Sequence, residues 1–217
     1  MRRMFLNVLC GAALLTSMNM GRAHATTIVS NLNDAVGGQG SIYVSGPPQY
    51  YAQEFAAGNQ SAQLGSIIAA LGDARGSFIP SAELVNNNSG QPGTSVLTTF
   101  SFPTLPASGF SDLTFLPNST VLLSANTDYW FLLSASPTAT SGSSDRYQWQ
   151  YTSVNDPLLP LYASTHDGVS WEVESSGPFL IAVNSIVPEP SSLFLLGVAA
   201  VVAGSLRLKR AKTLFRM

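Results

Sequence analysis

The body of the chain is a succession of short apolar and β-branched runs divided by clusters of Gly, Pro, Asn, Asp and Ser. Runs of this length favour β-strands over helices. Thirteen runs qualify, at 27–30, 41–45, 49–56, 64–71, 78–86, 95–102, 112–116, 119–124, 128–136, 146–152, 159–163, 170–174 and 179–186. Because closely spaced short strands are typical of sandwiches and jelly rolls, we expect an all-β fold, with a single β-sandwich or jelly-roll-like domain over 26–186.

Composition within these runs and between them refines the expectation. Residues 128–133 are almost entirely apolar, which predicts a central strand covered on both faces. Residues 36–40 contain three glycines and predict a flexible turn, while Asp167-Gly168 predicts a tight hairpin turn. Residues 86–93 predict a long polar loop.

The charges are segregated along the chain. Residues 26–186 hold eleven carboxylates against Arg75 and Arg146, a formal charge of −9, whereas the other eight cations lie in the two ends. Such a body lacks a basic surface to neutralise phosphates, so we expect no nucleic-acid partner. Cys10 lies outside the body and His166 is the body's only histidine, so we expect no metal site and no cofactor.

The N-terminus has the three parts of a signal peptide. Arg2 and Arg3 precede an apolar run at 4–15, and Ala23 and Ala25 are the small residues that a signal peptidase reads. The apolar run is too short to span a bilayer. We therefore expect a signal peptide over 1–25, cleaved after Ala25. The paired arginines are compatible with either ordinary Sec export or twin-arginine export.

The C-terminus also has three parts in order: Val187, Pro188, Glu189 and Pro190, then an uncharged stretch at 190–206, then a basic tail at 207–217. Seventeen helical residues span roughly 25 Å, close to the ~30 Å hydrocarbon core of a bilayer. This predicts a transmembrane helix at about 190–206. The basic tail would stay in the cytoplasm, so the body of the precursor would lie in the periplasm, tethered to the inner membrane.

This arrangement over 187–211 resembles the PEP-CTERM protein-sorting signal, in which Pro-Glu-Pro, a short apolar helix and a basic cluster follow one another. The resemblance implies a Gram-negative bacterium and processing by an exosortase near Pro188, Glu189 and Pro190. It also implies association with exopolysaccharide and biofilm matrix at the cell surface. A simple single-span anchor is the alternative.

The body is similar in pattern and order to the choice-of-anchor R domain family. The residues that carry the likeness are 52–55, 89–93, 123–130, 147–149 and Trp171. The resemblance implies an extracellular β-sandwich and supplies no catalytic residue.

Aromatic residues give the best candidate for a binding surface. Tyr147, Trp149 and Tyr151 alternate along one predicted strand and so share a face, and Trp171 follows them in the chain. Such rings can stack on sugars, which makes the four residues a candidate glycan-binding set. The alternative is that they form the core of the sandwich, where large aromatics mostly lie.

Other candidate sites are weaker. Glu172 and Glu174 fall on the same side of a strand and form either a carboxylate pair for glycoside hydrolysis or a solvated acidic face. Asp167 directly follows His166, a poor arrangement for a catalytic triad. Residues 86–89 offer oxygens for Ca²⁺ without a carboxylate, so they are either a weak site or a polar turn.

Taken together, these features predict an exported, exosortase-processed protein of the cell envelope or exopolysaccharide matrix, without enzymatic activity. Its expected partners are a signal peptidase, an exosortase and exopolysaccharide. The alternatives are a carbohydrate-binding module that uses an aromatic strand face, and a glycan-active hydrolase with a carboxylate pair.

Overall fold

The computed structural model describes residues 25–44, 49–160, 162–165, 170–174 and 177–186. The predicted signal peptide before Ala25, the predicted transmembrane helix and the Asp167-Gly168 turn lie outside these residues. No helix in the described ranges is long and apolar enough to cross a membrane.

Within that part of the chain the secondary structure is strand without helix, so the predicted all-β class is confirmed. Each of the thirteen predicted runs overlaps an observed strand. The strands are β1 (Ala25–Ser30), β2 (Val36–Tyr43), β3 (Tyr50–Ala56), β4 (Ala62–Arg75), β5 (Phe78–Asn87), β6 (Pro92–Ser101), β7 (Phe110–Pro117), β8 (Leu122–Leu123), β9 (Asp128–Pro137), β10 (Arg146–Thr152), β11 (Tyr162–Thr165), β12 (Glu172–Glu174) and β13 (Ile181–Ile186).

The first sheet is organised by β4, which has 14 residues and is long enough to pair with two strands on each edge. Strands β13 and β10 follow one another along one edge of β4, and β8 and β7 follow one another along the other. Strand β2 extends this sheet beyond β10, and β1 extends it beyond β13. All of these pairs are antiparallel.

The second sheet has the order β6-β5-β9-β3-β11-β12 and is antiparallel throughout. Strand β6 also pairs with β7 through Phe100 and Ser101, which joins the two sheets along one side. The result is a sandwich-like, nearly closed arrangement around a shared interior.

Large aromatic side chains fill the space between the sheets. Trp149 stacks on Phe179 with ring centroids 4.3 Å apart, and Phe131 meets Trp149 edge-on at 5.8 Å. The Trp149 indole N–H donates to the Leu180 carbonyl at 3.1 Å, and the Tyr147 hydroxyl donates to the Ser134 carbonyl at 2.9 Å. The polar atom of each ring therefore has a partner, so burial of these rings leaves no unpaired donor on them.

The glycine-rich segment at 36–40, predicted to be a flexible turn, instead forms the first part of β2, so that prediction is wrong. Gly40 pairs with Trp149 in register, and a Cβ there would lie 3.1 Å from the Phe179 ring. A Cβ on Gly38 would overlap the ring of Tyr151. Gly38 and Gly40 are thus explained by aromatic rings that lie directly against this strand, whereas a Cβ on Gly37 would meet the backbone of Ser153.

The two ends of the described body lie side by side. Ala25, the first residue of β1, pairs with Ile186, the last residue of β13. Residues 25–186 form one compact unit. The first strand therefore begins beside the residue at which the last strand ends.

Candidate functional site

The outer face of the second sheet is apolar at its centre, which is unusual for a surface-facing side of a sandwich. Ala52, Val85, Trp130 and Leu132 form a separate buried cluster there, with Trp130 fully buried. The opposite face of β9 carries Tyr129, Phe131 and Leu133 into the interior core. Strand β9 is thus covered on both faces, as predicted from its apolar sequence, and something must shield its outer side from water.

Two features cover this outer face. Trp171, just before β12, packs partly buried against the cluster. The loop between β5 and β6 lies beside it and is tightly turned: the backbone N–H groups of Asn88 and Gln91 each donate to the other's carbonyl, at 2.8 and 3.2 Å. Ser89 and Gly90 adopt positive φ angles of 56° and 81°, which gives the loop its sharp reversal.

Between these two covers lies a groove of about 480 Å³, within the range of roughly 300–1,000 Å³ typical of small-molecule sites. Its apolar lining comes from Val85, Leu132, Pro92 and Val96. The rest of the lining consists of Gly93, Thr94 and five larger polar or aromatic residues. These are the rings of Tyr50 and Trp171, the amides of Asn88 and Gln91, and the carboxylate of Glu83.

Tyr50 and Trp171 form an aromatic corner on one side of the groove. Their ring centroids are 6.3 Å apart and their planes are inclined at 64°. Both rings are only partly buried, whereas Asn88 and Gln91 across the groove are exposed. The groove thus offers a ring face, hydrogen-bond donors and hydrogen-bond acceptors to a ligand at the same time.

A partly buried polar network holds the covering loop to the sheet. The Asn87 side-chain oxygen accepts from the Gly90 backbone N–H at 2.9 Å and from the Trp130 indole N–H at 3.3 Å. The Asn87 amide nitrogen donates to the Glu54 carboxylate at 3.0 Å. Because Asn87 contacts the loop, the sheet and a carboxyl group together, its side chain fixes the position of the loop that borders the groove.

Glu54 is a carboxyl group in an unusual environment. Only 3% of the residue is exposed. Burial, with a smaller contribution from the negative charge of Asp128, raises the pKa of Glu54 to about 7. This carboxyl group therefore takes up or releases its proton near neutral pH, at the base of the Asn87 network.

The structure separates the four aromatic residues that were considered together as a glycan-binding set. Tyr147 and Trp149 are fully buried in the interior core, and Tyr151 is half-buried with its ring against Phe179. Only Trp171 lines the groove. The sequence left open whether these rings form a glycan-binding face or the core of the sandwich. Tyr147 and Trp149 lie in the core.

Sequence reasoning did not single out Tyr50, Glu83 or Gln91 as groove residues, because each comes from a different strand or loop of the chain. Asn88, which lay in the segment considered for Ca²⁺, lines the groove. The described residues contain no group of three or more His, Cys, Asp or Glu side chains that could hold a metal ion. Glu172 is exposed. His166 and the side chain of Glu174 lie outside the described residues.

Comparison with known proteins adds information on the C-terminus. Residues 187–210 match the family model of the PEP-CTERM protein-sorting motif. The predicted sorting motif is thereby confirmed, and it points to an exosortase-processed, surface-sorted protein with a membrane-anchored precursor. No curated protein matches the chain. No match supports the resemblance of the body to the choice-of-anchor R family.

Proposed function

We propose that the mature protein is a non-enzymatic component of the cell envelope or of an exopolysaccharide matrix. The observation that carries the proposal is the sorting motif at 187–210, on a chain whose described residues form a single β-structured unit. On this proposal the inner-membrane precursor holds its body in the periplasm until an exosortase acts near Pro188, Glu189 and Pro190. The body then reaches the cell surface or the matrix.

The position of the motif relative to the fold supports this route. Strand β13 ends at Ile186, one residue before the motif begins. Cleavage at 188–190 would leave every strand pairing of β13 intact, including its pairing with β1. Removal of the first 25 residues would delete only Ala25 from β1. Both processing events would therefore spare the folded unit.

The groove supports a binding role over hydrolysis. A glycosidase needs two carboxyl groups flanking the bond to be cleaved, about 5–10 Å apart. Among the described residues that line the groove, Glu83 is the single carboxylate. Glu54 lies on the outer face of the same sheet but does not line the groove. In the strand register Trp130 on β9 lies between Glu54 on β3 and Val85 on β5. Carbohydrate binding is therefore the second candidate function.

Mass spectrometry of the chain produced in a bacterium that carries an exosortase tests the proposal. We expect a product that begins at Thr26 and lacks the basic tail at 207–217. Replacing Pro188 and Pro190 by Ala should leave the tail attached, whereas Ser191→Ala, outside the Pro-Glu-Pro motif, should be processed normally. A wild-type product that retains residues 187–217 in the membrane fraction would show that the segment is a plain anchor.

A further inference from the structure

We infer that the groove on the outer face of the second sheet binds neutral hexose units of a polysaccharide, with Trp171 and Tyr50 as the stacking platform. The inference assigns a specific polysaccharide contact to the matrix role proposed above. It rests on that role, because only an exported protein encounters extracellular polysaccharide. The site differs from the face of β10 considered in the sequence, since Tyr147 and Trp149 are buried between the sheets.

The aromatic corner suits one face of a pyranose ring. A hexose presents a patch of C–H bonds on each ring face and hydroxyl groups around its rim, so it prefers a site that is aromatic below and polar at the side. Trp171 and Tyr50 meet at 64°, and two inclined rings can contact one sugar unit and the edge of the next. The apolar contacts of Trp171 with the Trp130 cluster hold this platform in place.

The polar lining suits hydroxyl groups. A hydroxyl both donates and accepts a hydrogen bond, and the side-chain amides of Asn88 and Gln91 can do both as well. The Glu83 carboxylate adds an acceptor on the sheet side of the groove. Strand β9 lies between β5, whose following loop carries the exposed amides, and β3, which carries Tyr50, so a sugar stacked on the rings can present its rim to the amides.

The charge of the site favours a neutral ligand. The lining includes Glu83 and no Lys or Arg among the described residues. The whole body carries eleven carboxylates against two arginines. A polysaccharide rich in uronate, sulfate or phosphate would be repelled by this field, whereas neutral hexose chains are not affected.

The loop that borders the groove is held in place by hydrogen bonds within the protein itself. Asn87 ties Gly90 to Glu54 and Trp130, and Asn88 and Gln91 are joined by two backbone hydrogen bonds. A loop fixed in this way loses little conformational freedom on binding, which leaves more of the contact energy available for affinity.

The test uses the full chain in detergent micelles, with calorimetric titration of three neutral probes: cellohexaose, laminarihexaose and maltohexaose. We expect at least one probe to bind, and Trp171→Ala to weaken that binding by about tenfold or more, as truncation of an aromatic anchor does. Gln91→Ala should weaken it by about threefold to tenfold. Tyr43→Ala, which removes an exposed ring from β2 of the other sheet, should bind as the wild type does.

Gln91→Ala keeps the test decisive if Trp171→Ala fails to fold, since the loop is held through the Gln91 backbone and not through its side chain. If no probe binds at millimolar concentration, or if both groove variants bind as tightly as the wild type, the inference is overturned. Preference for an anionic probe such as polygalacturonate would also overturn it. None of these results changes the mass of the processed chain, so failure of the site and failure of the sorting proposal can be told apart.

Discussion

Replacing Glu54 by Gln should stabilise the protein at alkaline pH and leave its stability nearly unchanged at acidic pH. Glu54 is 3% exposed, and the pKa of its carboxyl group is raised to about 7 from an ordinary 4.5. At pH 8 the native state must therefore hold a buried negative charge. Gln is close in shape, carries no charge and retains an oxygen that can accept from the Asn87 amide.

The size of the effect follows from the pKa. Each pKa unit corresponds to about 1.4 kcal/mol, so ionising this group in the native state costs at most about 3.5 kcal/mol at pH 8. Water and neighbouring dipoles adjust around the charge, and we expect about 1–2 kcal/mol in practice. Between pH 4.5 and pH 7 the native carboxyl keeps a proton that the unfolded chain has lost. The contribution of Glu54 to stability is thus fully present below pH 4.5 and is lost as the pH rises through about 7.

Urea unfolding of residues 26–186, followed by tryptophan fluorescence at pH values from 4.5 to 8.5, measures this difference. The gain of Glu54→Gln over the wild type should grow with pH and level off above pH 8. Glu172→Gln, at an exposed position, removes the same charge without relieving burial and should show no such trend. A Glu54→Gln gain that stays constant across the range, or a loss at pH 8, would refute the argument from burial.

Two further substitutions test the packing. Trp149→Ala should cost about 3–5 kcal/mol in the free energy of unfolding, because the indole is fully buried and stacked on Phe179 at 4.3 Å; a cost below 1 kcal/mol in urea titration would exclude a core position. Gly72→Ala should lower the free energy of unfolding by about 1–3 kcal/mol or more, since the added Cβ would overlap the Gly109 carbonyl oxygen. Gly142→Ala is the matched control: the nearest atom would lie 3.4 Å from its Cβ, so its melting temperature should match that of the wild type.

The strands were predictable because their signal is local. A β-strand in a sandwich can be recognised from a few consecutive residues, as the apolar run at 128–133 shows. Turn residues mark the ends of such a strand. The one clear failure, at 36–40, has a non-local cause. Gly38 and Gly40 accommodate rings that come from β10 and from residue 179, and nothing in the segment itself distinguishes such a strand from a turn.

The groove could not be predicted in the same way. Tyr50, Glu83, Gln91 and Trp171 come from four separate places in the chain. They meet because β5, β9, β3, β11 and β12 follow one another in one sheet. Alternation in β10 correctly indicates that Tyr147 and Trp149 share a face. It cannot say which face is inside, since both faces of a sheet can be covered.

The sequence by itself determined the all-β class, the strand order along the chain and the sorting address at the C-terminus, because each depends on residues close together in the chain. The tertiary structure alone decided which aromatic rings are core and which border a groove. It also placed Glu54 where its carboxyl group is buried. Burial and the environment of a charge are set by the strands that pack around a residue, and those strands lie far from it in the sequence.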